Sequence, residues 1–249
     1  MIKILENYFR RYFPKHLKNK NKYNRPIKNL YGIEIGGPSQ VFSSKGLLPV
    51  YPIISGLDGC NFSNNTVWEG KLYSGNTYKY ASNKKPGQQF ICEGNDLSMV
   101  ADNTYDFVLS SHNLEHFANP VKALYEWKRV VKNNGYLIIV LPHKDKTFDH
   151  NRPVTKLFHL IDDFKNNVTE HDPTHFEEII NLHDIDKDAG VSDIDELAER
   201  LKNNFDNRCA HHHVFNEQIV GDLLKYAGFE ILELDTLQIN IFAIVKNLK

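Results

Sequence analysis

Six consecutive apolar residues, Tyr136-Leu137-Ile138-Ile139-Val140-Leu141, constrain this chain more than any other feature of it. An alternating pattern would bury one face of a strand; an unbroken run of strand length is what a strand covered on both faces requires. Such strands belong to parallel sheets with helices packed above and below. The residues before the run complete the unit. Tyr105 to Ser110 reads as a strand, and Asn119-Pro120 opens a helix with Val121, Leu124, Trp127 and Val131 on one face, ending near Asn133-Asn134-Gly135. Strand, helix and strand in this order predict an α/β fold, a doubly wound and mostly parallel sheet. A length of 249 residues accommodates one such domain with an insertion. With 41% hydrophobic and 24% charged residues there is material for a packed core.

The remaining punctuation divides the chain into four parts. Residues 1–29 are strongly basic, with apolar positions at three- and four-residue spacing up to Pro14, which predicts an amphipathic helix ending before that proline. Residues 30–142 form the α/β core: a strand from Leu30 to Ile35, a proline-interrupted apolar stretch from Gly46 to Ile54, a loop with one short helix over 59–90, and a brief strand at Phe90 to Cys92. Residues 143–213 break the pattern, being crowded with His, Asp, Asn and Lys, and read as an inserted cap with helices near 156–164, 176–183 and 192–201. In residues 214–249, Asn216 caps a helix that runs to Ala227 and stops at Gly228, and the segments 229–234 and 239–245 pair as a terminal antiparallel hairpin.

A formal net charge of -1 gives no overall electrostatic case for nucleic acid, which needs a basic surface to displace counterions. The three cysteines, Cys60, Cys92 and Cys209, lack CxxC spacing and so suggest neither a disulfide framework nor a thiolate zinc site. No apolar run approaches the length of a membrane span, and the first residues have no signal-peptide core, so a cytoplasmic protein is expected. The basic N-terminal helix is expected to dock on the domain, with peripheral contact to an anionic membrane as the alternative.

The first strand ends in Glu34-Ile35-Gly36-Gly37-Pro38-Ser39. Glycine without a Cβ lets backbone approach a ligand closely, and in open α/β sheets ligands sit beyond the carboxyl ends of the strands. An acid about 20 residues past the glycines can hold a ribose, which points to Asp58. Glu34-Ile-Gly36-Gly37, Asp102-Asn-Thr-Tyr-Asp106-Phe-Val, Leu114-Glu115-His116 and Lys132-Asn-Asn-Gly135-Tyr-Leu follow in order. On these motifs residues 30–142 resemble the class I S-adenosylmethionine-dependent methyltransferases of the type 11 group.

The resemblance implies a Rossmann-like fold, S-adenosylmethionine as methyl donor and S-adenosylhomocysteine as product. It implies that Glu34 orients the glycine turn or the cofactor's amino group, and that Gly36, Gly37 and Pro38 lie beneath the amino-acid part. Asp58 would hold the ribose, Asp96 and Leu97 would border the adenine, and Ser111 and His112 would face the sulfonium and acceptor. Pro38-Ser39 stands where the family carries a third glycine.

Methyl transfer is an in-line displacement that needs alignment, and a hydroxyl acceptor also needs help in losing its proton. Histidine suits that task. His143, just past a buried strand, is the first candidate; His112 follows, and His150 lies in the adjoining polar block with Asp149 placed to orient a histidine. His211-His212-His213, with His171, Asp172, His175, His183 and Asp184, raises a metal site, but no spacing matches a ligand motif such as HExxH, so no metal is expected. In an extended segment only His211 and His213 would share a face.

The expected activity is O-methylation of a small polar acceptor, with a sugar unit of a cell-surface polysaccharide first by likeness to enzymes of glycan assembly. An N- or phosphate-type acceptor, or a non-catalytic docking module on the same fold, are the alternatives.

Overall fold

The computed structural model describes residues 16–249. The helix expected before Pro14, and with it the membrane contact, lies outside these residues. The first described helix, α1 (Lys20–Ile27), packs Tyr23 and Ile27 against the sheet. Tyr23 donates its hydroxyl to the Phe242 carbonyl at 3.1 Å, and Lys22 pairs with Glu233 at 2.6 Å. Among the described residues no helix is long and apolar enough to cross a membrane.

The core strands are β1 (Tyr31–Ile35) and β2 (Gly56–Asn61), then the small ribbon β3 (Asn65–Thr66) and β4 (Gly70–Lys71), followed by β5 (Gly75–Tyr78), β6 (Gly87–Ile91) and β7 (Tyr105–Ser111). Helix α2 (Pro120–Val130) leads into β8 (Val131–Pro142). The insertion carries α3 (Leu157–Lys165), α4 (Phe176–Leu182), α5 (Ile194–Lys202) and the single turn α6 (Asn204–Asn207). Helix α7 (Glu217–Tyr226) precedes the hairpin β9 (Phe229–Leu237) and β10 (Asn240–Asn247).

Eight strands form one mixed sheet in the order β5-β6-β2-β1-β7-β8-β10-β9. The central pairs β6/β2, β2/β1, β1/β7 and β7/β8 are parallel, while β5, β10 and β9 join antiparallel. The winding reverses at β1, with β2 on one side and β7 on the other, so a crevice opens beyond their carboxyl ends.

The unbroken run of β8 is divided between two cores. Leu137, Ile139 and Leu141 enter the cluster covered by α2 and α7; Ile138 and Val140 enter the opposite cluster under α1 and the segment around Phe42 to Ile54. Both faces are therefore dry, which is why alternation was unnecessary. A third, small cluster of Ile179, Val191, Leu197, Leu201 and Ala210 holds the insertion.

Two stretches differ from the sequence expectation. Residues 59–90 contain strands in place of a loop with a helix: β6 joins β2 directly and β5 covers its edge. Helix α2 stops at Val130, not at Asn133-Gly135. The closing strand captures the helix end, because Asn247 Nδ2 donates to the Lys128 and Val131 carbonyls at 3.1 and 3.2 Å, and Lys249 Nζ to Arg129 and Val131 at 3.0 and 2.9 Å. Those carbonyls are thereby lost to further helical turns. Asn119 caps the other end, its side chain accepting from the Lys122 N–H at 3.0 Å.

Trp127 is fully buried between sheet and helix and donates its indole N–H to the Gly94 carbonyl at 2.8 Å. Trp127→Ala removes that packing and leaves the carbonyl unpaired, so a loss of about 3–5 kcal/mol is expected in urea unfolding. A loss below about 1 kcal/mol would show that the packing relaxes around the gap.

Candidate active site

A cavity of about 800 Å³ lies beyond the carboxyl ends of β1, β2, β6 and β7, at the upper end of the range for small-molecule sites. Its floor begins with Gly36, whose φ of 79° is in the left-handed region, and continues through Pro38, Ser39 and Gln40. A Cβ at Gly36 would meet Asn113 Nδ2 at 2.5 Å, so the turn needs glycine on both conformational and steric grounds. Gly37 lies beneath the surface: a Cβ there would run into Glu34 and the Tyr78 hydroxyl, while its carbonyl accepts from Asn61 Nδ2 at 3.2 Å.

Glu34 is wholly buried and does not reach the cavity. Its carboxylate accepts from the Ser39 N–H at 3.1 Å, Tyr51 at 2.8 Å and Tyr78 at 2.6 Å. Burial raises its pKa against the lowering by those hydrogen bonds. Of the two roles expected for it, this geometry orients the turn.

Asp58 lies away from the cavity wall as well. It sits three residues before the end of β2 and accepts from the Tyr31 and Tyr105 hydroxyls at 2.6 and 2.8 Å and from the Gln88 N–H at 2.7 Å. Counting from the glycines overshot backwards because the connection from β1 to β2 is irregular and contains only a 3-10 turn, Gln40–Phe42. At the end of β2 stand Asn61 and Phe62, which do line the cavity. Asp96 and Leu97 are likewise displaced: Leu97 is in the core, its N–H bound to Glu126, and the cavity is lined instead by Glu93 and Gly94.

Ser111 and His112 reach the cavity at the end of β7. His143 does not line it. Its Nδ1 accepts from the Asp145 N–H at 3.2 Å, which makes Nε2 the donor to Glu217 at 3.1 Å, so both nitrogens are committed. His150 pairs with Asp184 at 2.7 Å, also outside the lining. Asp149 is buried and does orient a histidine, but that residue is His211, with Nδ1 2.6 Å from the carboxylate. Burial pushes Asp149 up, and the nearby His211 and Arg152 outweigh it and hold it at about 2. Arg152, itself buried, spans Asp149 at 2.9 Å, Glu178 at 2.8 Å and the His211 carbonyl at 2.8 Å.

His211 lines the cavity together with Glu115 and His116. Ligand-type atoms of these three lie within 4.8 Å of one another. Glu115 is fully buried, and neither carboxylate oxygen has a hydrogen-bond partner among the described residues. Burial raises its pKa, opposed by the neighbouring His112 and His211. The triplet does not alternate as an extended strand would: the backbone bends at His213, so His211 faces the cavity while His213 joins a separate cluster with His159, Asp163 and His175. Glu115 and His116 were visible as the Leu-Glu-His motif but not as a site, and His159 and Asp163 carried only their i, i+4 spacing on one helix.

Residues 72–139 match the methyltransferase domain family. That match spans about a quarter of the chain. The fold is shared with a chain of the Haloferax volcanii complex between the Trm112 methyltransferase activator and a methyltransferase, at TM-score 0.54 and 10% identity, covering 98% of this chain and 93% of that one. It is also similar to a protein of Listeria monocytogenes assigned as an S-adenosylmethionine-dependent methyltransferase, at TM-score 0.50 and 11% identity over 93% of this chain and 96% of that one. At such identities the likeness concerns the fold. An uncharacterized protein of Methanocaldococcus jannaschii is 52% identical over 44 residues, which is 18% of this chain and 19% of that protein.

The glycine turn fits the donor, since Gly36 lines the cavity with backbone alone and Asn113, packed against it, lines the same wall. Gly36→Val is expected to abolish S-adenosylhomocysteine binding in isothermal titration while the circular dichroism spectrum stays native. Retained affinity would place the cofactor elsewhere. Arg152→Met leaves Asp149 buried without its cation and should cost about 3–5 kcal/mol in denaturant unfolding; an unchanged midpoint would show that His211 alone supports the carboxylate.

Proposed function

We propose that this chain is an S-adenosylmethionine-dependent methyltransferase acting on a hydroxyl group of a small polar acceptor, a sugar unit of a surface polysaccharide being the first candidate. The observation that carries the reading is the inner wall of the cavity, where His112, His116 and His211 surround the unpartnered carboxylate of Glu115 beside Ser111. That is a wall built for a polar, proton-bearing reactant. An amine acceptor already presents a lone pair and has less need of it.

The donor, when bound, supplies an electrophilic methyl on sulfur. Gly36, Pro38 and Ser39 would hold its amino-acid part, Asn61 and Phe62 its ribose, and Glu93 with Gly94 would border the base. Ser111 and His112 then stand between donor and inner wall. The acceptor's O–C bond forms as the S–C bond breaks, the sulfur keeps the bonding pair, and the hydroxyl proton departs. The chain's contribution is alignment of the two reactants and assistance to that proton loss at the inner wall. Asp149 keeps the His211 ring in one tautomer, with Nδ1 protonated and Nε2 free for the cavity.

The test is a turnover assay with S-adenosylmethionine against a panel of free and nucleotide-activated sugars, comparing wild type with His211→Gln and His143→Ala. His211→Gln is expected to lower turnover by about 10²–10⁴-fold with S-adenosylhomocysteine affinity unchanged. His143→Ala should leave turnover within a small factor, because its nitrogens are engaged away from the cavity. Normal turnover in His211→Gln, or methylation of amines but no hydroxyl in the panel, would overturn the reading.

A further inference from the structure

The three imidazoles of the inner wall have fixed tautomers. His116 Nδ1 is 3.0 Å from the Ala210 carbonyl, which can only accept, so Nδ1 carries the proton and Nε2 the lone pair. His211 Nδ1 meets the Asp149 carboxylate at 2.6 Å with the same consequence. His112 Nε2 is 2.6 Å from Asn240 Oδ1, and Asn240 donates its amide to Leu237, so His112 Nε2 is the donor and Nδ1 holds the lone pair. His112 Nδ1 and His116 Nε2 approach Glu115 Oε1 at 4.0 and 3.9 Å, and a ligand-type atom of His211 lies within 4.8 Å of both Glu115 and His116. In the neutral rings these lone pairs converge on the buried carboxylate of Glu115.

We propose that this wall binds a divalent transition-metal ion through Glu115, His116 and His211, with the fourth position left open to the cavity for the acceptor hydroxyl. The inference rests on the hydroxyl methyltransferase reading and deepens it. Metal-ligating histidines characteristically give their second N–H to a carboxylate or carbonyl, and here Asp149 does so for His211 and the Ala210 carbonyl for His116. Metal–ligand bonds of 2.0–2.2 Å put tetrahedral ligand atoms about 3.3 Å apart, a contraction that rotamer adjustment of Glu115, His116 and His211 would supply. Imidazoles with one carboxylate favour the zinc, cobalt or manganese class over magnesium or calcium, which prefer oxygen. Such an ion lowers the pKa of a bound hydroxyl as it does that of bound water, and the proton leaves to bulk water through the cavity mouth.

A second cluster carries a metal site independently. His159, Asp163, His175 and His213 hold their ligand-type atoms within 4.8 Å of one another, away from the cavity. His213 Nδ1 donates to the Phe117 carbonyl at 3.2 Å, which leaves its Nε2 lone pair facing Asp163 Oδ2 at 2.9 Å, acceptor against acceptor. His159 and His175 meet Nε2 to Nε2 at 3.1 Å. Four ligands with no open position describe a structural zinc site tying α3, the start of α4 and the segment after α6 together.

Metal content of the purified full-length protein, measured by mass spectrometry after dialysis against zinc chloride, tests both. Two ions per chain are expected in wild type, one in Glu115→Gln and one in Asp163→Asn, while His171→Ala keeps two. Chelation should abolish turnover and restored zinc or manganese should recover it. If a variant fails to fold, anomalous diffraction at the zinc edge from wild-type crystals decides: a peak between Glu115 and His211 supports the cavity site, and none there overturns it. Glu115→Gln retaining the wild-type ion count also overturns the cavity site, and Asp163→Asn retaining it overturns the closed one. S-adenosylhomocysteine titration on the same samples separates the readings: cofactor binding without an ion at the cavity sinks only the metal proposal, and absence of cofactor binding sinks the methyltransferase reading beneath it.

Discussion

Arg152 is the constraint on which the working half of the molecule depends. Its guanidinium, buried at 1% exposure, neutralises Asp149 and Glu178 and donates to the carbonyls of His211 and His212. An apolar replacement of the whole buried network would cost little net stability, whereas the cation alone cannot be spared, and the network tolerates few alternative arrangements because each donor must find an acceptor. It therefore fixes where the insertion meets the sheet. Asp149 can hold His211 only because Arg152 holds Asp149.

The sheet supplies the other half. Reversal of winding at β1 leaves the ends of β1, β2, β6 and β7 facing an open crevice, and the hairpin of β9 and β10 closes the far edge. The insertion folds back over that crevice, and its segment 209–213 presents His211 to the cavity. Donor and acceptor thus meet along a seam, with glycine backbone from the core on one side and ionisable side chains from both core and insertion on the other. The bend at His213 sends neighbouring imidazoles to two different clusters, which couples the cavity wall to the packing of α3 and α4.

Legibility in the sequence followed the range of the interactions. The β8 run, the Asn119 and Asn216 caps and the glycine at 36 are governed by neighbours within a few residues, and each could be read directly. Asp58 was placed by counting past the glycines and Asp96 and Leu97 by family resemblance, and neither tracks an irregular connection: β2 and β6 end at Asn61 and Ile91, and it is Asn61, Glu93 and Gly94 that line the cavity. His143 was placed correctly at a strand end but its partners were not visible, since Glu217 lies 74 residues away.

The sequence by itself determined the α/β class, the glycine turn and the pairing of a polar insertion with that core, because hydrophobic period, caps and turn residues act locally. Which histidine Asp149 orients, which carboxylate is left without a partner, and which imidazoles share a cluster were decided only by the tertiary structure. Those relations join His112 to Asn240, Asp149 to His211 and His159 to His213, residues whose separation in the chain carries no trace of their distance in space.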